Sequence, residues 1–175
     1  MVSGLNHFAH KLYERNLIRS SLKDPNGVPE LSENSVKNIK KEVYALFTDD
    51  MKKNESLPKI KVGGSNGTKN GDFEYRMDED GSANGGTVIK FYKSAFKSNY
   101  ILARTILHEY YHAGDFYSGN AGMKMWSLRY KLNLKGNELQ NAYTDYFERG
   151  VFNYVRGLGA YQDKNYYYNQ KLYHR

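Results

Sequence analysis

The run "NYILARTILHEYYHAGDFYSG", residues 99 to 119, contains no proline, has Ser98 or Asn99 available as a cap at its start, and has Gly119 past its end. That pattern predicts one helix of about 17 residues. Its centre carries His108, Glu109 and His112 between the apolar "TIL" and the small "AG". Residues four apart on a helix share a face, so the two imidazoles can be aimed at one point, at the spacing a tetrahedral zinc ion requires. Glu109 is turned about 100° from His108. Its carboxylate stands beside that point, where it can take a proton from water instead of serving as a ligand. A fold that uses this pattern has to place the helix in its interior and lay an edge strand over it.

The chain has no cysteine, so disulfides and thiolate ligands are excluded and a bound metal must be held by His, Asp or Glu. With 175 residues it is long enough for one domain with a sizeable core. Its 17 tyrosines must supply part of that core. No stretch reaches the ~18 consecutive apolar residues of a membrane span, and "MVSGLNHFAHK" lacks the apolar run of a signal peptide. Residues 118–175 carry 9 basic against 4 acidic groups, and the residues before them 17 against 15. The basic C-terminal third favours an acidic substrate or a polyanion such as nucleic acid, or is simply a solvated lysine-rich face.

Around the central run, "SENSVKNIKKEVYALFTDDM" spaces Val36, Ile39, Val43 and Leu46 for an amphipathic helix over 33–50, with Ser32 or Ser35 as N-cap. "PKIKVGG" is a short strand candidate, and "GGSNGTKNGD" a loop. "FEYRM" and "TVIKFY" form a hairpin across "DEDGSANGG". In that turn Asp78, Asp80, Ser82 and Asn84 alternate as calcium ligands do, but Ile89 stands where the bidentate glutamate would be, which makes it an ordinary polar turn. A second long helix covers "NELQNAYTDYFERGVFNYVR", with Asn137 and Gln140 as a capping box. The fold class expected is α+β: a small antiparallel or mixed sheet packed on the histidine helix, with a second long helix after it. Residues 1–30 are read as a lead-in segment and 31–175 as the domain.

The His-Glu-x-x-His run resembles the zincin metallopeptidases. In their gluzincin branch the third ligand is a glutamate on the next long helix, which the resemblance places at Glu138 of "NELQNAYTD", with Asp145 and Glu148 as alternatives. Such families commonly put an aspartate four residues after that ligand; this chain has Ala142, leaving Asp145 or Asp115 to orient a histidine. "VSGLNHFAH", residues 2–10, is similar to the segment that precedes the C-terminal toxin region in rearrangement-hotspot and related polymorphic toxins, and "HEYYHAGDFYSG" to metallopeptidase domains carried on them. The resemblance implies the variable effector module of a larger protein, secreted or injected into a target cell and neutralised in its producer by a cognate immunity protein. His7 and His10 then belong to the lead-in.

The function expected is Zn²⁺-dependent peptide-bond hydrolysis, with His108, His112 and Glu138 as ligands and Glu109 as general base. Tyr143 is the candidate oxyanion donor, beside His174 or an arginine of the tail, and a peptide substrate would lie along the edge of the "TVIKFY" strand. Two other readings are a hydrolase of cell-wall peptides and a catalytically silent, zinc-stabilised module whose basic, tyrosine-rich surface grips a polyanion.

Overall fold

The computed structural model describes residues 17–158. Six helices and three short strands make an α+β fold: α1 Leu17–Ser21, α2 Glu33–Val43, α3 Asp49–Asn54, β1 Lys59–Val62, β2 Gly71–Glu74, β3 Val88–Phe91, α4 Asn99–Tyr117, α5 Asn120–Trp126 and α6 Gly136–Gly157. Helix α4 is the histidine helix. Ser98 caps it by accepting from the Ile101 N–H at 3.2 Å, and the chain leaves it through Gly119 at φ +84°, a conformation that favours glycine. It packs on all five other helices and on β2 and β3.

The amphipathic helix expected over 33–50 stops at Val43. A 3-10 turn follows, Phe47 becomes extended and drops into the core, and α3 starts afresh. The cause is local: Thr48 caps α3 by accepting from the Met51 N–H, and Asp49 and Asp50 sit in its first turn, where their charge meets the positive end of the helix. The expected capping box at Asn137 is likewise absent. Helix α6 begins at Gly136, with Lys135 ahead of it and no side-chain cap.

The hairpin forms as expected: β2 pairs antiparallel with β3, Gly71 opposite Phe91 and Glu74 opposite Val88. The strand β1 joins the other side of β3 in parallel, giving the order β1-β3-β2. This overturns one expectation, because β3, the "TVIKFY" strand, is internal and cannot receive a substrate on its edge. Its alternate residues Ile89 and Phe91 are fully buried, as suits the central strand, and β2, which lies beside α4, has an edge with no strand partner among the described residues. The polar turn between β2 and β3 uses its oxygens internally. Asp80 accepts from the backbone and hydroxyl of Ser82, and Asp78 accepts from the Asn84 amide.

The packed unit begins ahead of residue 31. Ile18 and Leu22 are in the core, and the carbonyls of Pro25 and Gly27 accept from the N–H groups of Tyr100 and Asn99 at the start of α4. His7, His10, His174, Arg175 and the "VSGLNHFAH" segment lie outside the described residues. Among the described residues no helix is long and apolar enough to cross a membrane.

Helices α3 and α4 meet at Gly114, where a Cβ would stand 3.0 Å from the Met51 backbone nitrogen. Gly114→Ala is expected to destabilise the protein by about 1–3 kcal/mol, because backbone rather than a flexible side chain must give way. Urea unfolding of the variant checks this; an unchanged midpoint would mean the two helices are not seated as described.

Candidate metal centre

Helix α4 delivers both histidines from one face. Their Nε2 atoms lie 3.1 Å apart with the rings nearly perpendicular. The third member of the cluster comes from α6: Glu148 places Oε1 3.4 Å from His112 Nε2 and Oε2 3.7 Å from His108 Nε2. Donors held ~2.0–2.1 Å from a tetrahedral zinc ion stand ~3.3–3.4 Å from one another. The observed separations of 3.1, 3.4 and 3.7 Å bracket that edge.

Burial and the neighbouring charges set the protonation of two of these groups. Burial, reinforced by the neighbouring His112, lowers the His108 pKa to about 3 despite the opposing pull of Glu148, so its ring is neutral near pH 7. Burial would raise the Glu148 carboxyl, but the His112 hydrogen bond, with the charges of both histidines and of Lys69, outweighs it and holds the pKa at about 2. A neutral His108 imidazole and an ionised Glu148 carboxylate are the forms of those two groups that can bind metal.

Glu109 is 4% exposed. Burial, with Glu148 and Asp72 nearby, raises its pKa well above the usual carboxylate range, against the opposing charge of Lys69. Ligand atoms of His108, Glu109 and His112 lie within 4.8 Å of one another, so this group could hold a metal ion. Of the two glutamates, Glu148 is the one whose oxygens face both Nε2 atoms. Glu109 is the adjacent carboxylate, the one that lies under β2.

The strand β2 lies directly on Glu109. A Cβ at Gly71 would come within 2.8 Å of Glu109 Oε1 and of Thr105 Cγ2, so any larger residue there would have to displace the Glu109 and Thr105 side chains. The Tyr92 N–H donates to the Asn70 carbonyl, and the ladder therefore runs through residues 70, 72 and 74. By antiparallel alternation the backbone groups of Gly71 and Phe73 turn to the free edge.

The remaining expected residues fall elsewhere. Glu138 is exposed on the first turn of α6, ten residues before Glu148 and thus about 15 Å away along the axis. The stripe Leu139, Tyr143, Phe147, Val151 and Val155 is what α6 buries. Phe147 meets His112, which brings its neighbour Glu148, and not Glu138, to the pair. Glu138, expected as the third ligand, is therefore not brought to the two imidazoles, whereas Glu148 is. Asp145 pairs with Arg149 at 2.5 Å. Asp115 is half-buried with its pKa raised by burial, and it does not bond the His112 ring, whose Nδ1 has no hydrogen-bond partner among the described residues. Tyr143 is 2% exposed and its hydroxyl is buried, so it cannot reach a substrate as an oxyanion donor must. Gly71 and Phe147 went unnoticed in the sequence because neither type signals chemistry; only the fold reveals their contacts.

Two outcomes are expected. Elemental analysis of purified protein should find near one metal ion per chain in wild type and Glu138→Ala, and loss in Glu148→Ala; retention in the latter would remove α6 from the centre. In metal-free protein, an unfolded histidine takes up a proton as pH falls below about 6.5 whereas folded His108 waits until about 3, so its contribution to stability, full above 6.5, is lost progressively downward. Urea midpoints measured between pH 7.5 and 5 should fall less for His108→Gln than for wild type. Equal slopes would mean that the folded ring protonates normally.

Comparison of the chain with family models, with curated proteins and with solved structures returns no match.

Proposed function

We propose that the chain is a zinc-dependent metallopeptidase of zincin type, with His108, His112 and Glu148 as ligands and Glu109 as general base. The observation that carries this reading is the placement of a buried carboxylate between two converging imidazoles and the free edge of a strand. Zinc in such a set would supply a Lewis acid for the scissile carbonyl and make a water acidic near neutrality. Two imidazoles and one carboxylate are a donor set that suits zinc and leaves a position open.

Each protein group then has a task. Glu109 takes a proton from the attacking water and returns it to the leaving amine. Burial raises its pKa, and a positive charge held between the imidazoles would draw it back toward the range a base needs. Gly71 and Phe73 offer backbone donors and acceptors to an extended peptide added along β2, which sets its scissile bond over Glu109. This replaces the edge first expected at β3.

The effector assignment rests on the two sequence resemblances: a module of a larger polymorphic toxin, secreted or injected, with a cognate immunity protein as partner. The neutral reading of the cluster, a zinc clip in a silent module, differs in one testable respect. Glu109→Gln should keep the zinc and lose peptide hydrolysis by about 10²–10⁴-fold, measured by mass spectrometry on a mixed peptide library. Wild type loaded with zinc that cleaves no peptide would sink the peptidase reading in favour of the silent module.

A further inference from the structure

His112 is the more deeply buried of the two histidines, 3% exposed, yet its Nδ1 has no hydrogen-bond partner among the described residues. Histidine ligands ordinarily donate that second N–H to a carboxylate, a carbonyl or water, which fixes the plane and tautomer of the ring. Asp115, one turn further along α4, is the acid placed to do so, and it does not. Something else has to hold the plane.

Phe147 lies flat on the imidazole, with centroids 4.1 Å apart and planes 18° from parallel. Phe147 is itself fixed: Tyr143 stacks on it at 5.6 Å and 19°, and the Tyr75 ring leans on it at 5.6 Å. A column of three near-parallel rings, His112, Phe147 and Tyr143, therefore runs from the metal centre along α6. The Tyr75 contact adds the chain just beyond β2. Rotation of the imidazole out of its plane would break its flat contact with Phe147, a ring itself packed against Tyr143 and Tyr75.

We infer that Phe147 is the positioning residue for His112, holding by stacking the ring plane that a hydrogen bond to Nδ1 would otherwise fix. The inference rests on the reading of His112 as a ligand, and it deepens that reading. Phe147 carries no ligand atom and acts through the histidine it stacks on.

The test compares zinc affinity, by competition with a chromophoric chelator, in wild type, Phe147→Leu, Phe147→Met, Phe147→Tyr and Leu139→Ala. Leu139 lies on the same buried stripe of α6, so its loss reports general loosening of that helix. The expected result is affinity about 10–100-fold weaker in the two ringless variants, as when an orienting group of a ligand is removed, and near wild type in the tyrosine and Leu139 variants. Ringless variants that bind zinc as wild type does, or a Leu139→Ala loss of equal size, would overturn it. Should the ringless variants fail to fold, the ring-proton resonances of His112 in metal-free wild type decide: a marked upfield shift from the Phe147 ring current supports the stack, and ordinary positions refute it. Wild type that binds no zinc would sink the metal centre and this inference together, whereas zinc-binding wild type with unaffected variants sinks the inference alone.

Discussion

An apolar interior tolerates a carboxylate or an imidazole only where each finds a partner, and α4 carries one of each, Glu109 and His112, within a single turn of its buried length. The helix cannot turn them outward, because Leu102, Ile106, Leu107, Tyr110 and Ala113 claim the interior on its other sides. Its neighbours answer the demand: α6 supplies Glu148 and the flat face of Phe147, and β2 supplies a glycine where any side chain would strike Glu109. The sheet, the hairpin and α6 are thus arranged around a few polar atoms that have nowhere else to go.

The hairpin has two attachments. At one end Gly71 presses on Glu109. At the other the turn is fastened to α5, where Gly81 and Gly122 meet backbone to backbone, and to the helical turn after it, where Arg129 donates to the Glu79 carbonyl at 2.9 Å. Between them Phe73 and Tyr75 pack on Phe116 of α4. A strand of four residues would be a poor platform on its own; tied at both ends it becomes a fixed rail beside the histidines.

Much of this could be read from the residues. Ser98, Gly119 and the unbroken run between them marked α4, and the alternating runs about a Gly-rich turn marked the hairpin, because caps and turns are decided by chemistry within a few residues. What was not legible depends on distant parts of the chain. The third donor is chosen by how α6 rolls its apolar stripe onto α4, and Glu138, Asp145 and Glu148 are indistinguishable until that roll is known. The edge of the sheet is decided by β1, which reaches β3 in parallel from well before it in sequence. The break after Val43 lies between these cases. Thr48, Asp49 and Asp50 announced a new helix start, yet the apolar spacing across Leu46 concealed it.

The two imidazoles and the Glu148 carboxylate meet from different helices, α4 and α6, in a chain with no cysteine. An ion shared by His112 and Glu148 would be a cross-link, closing α5 and the turn after it into a loop whose ends could not separate while the ion stayed. Such a staple follows mass action rather than redox potential. Folding and completion of the centre would then be one event: the protein would be looser where the free ion is scarce and tighter where it is supplied.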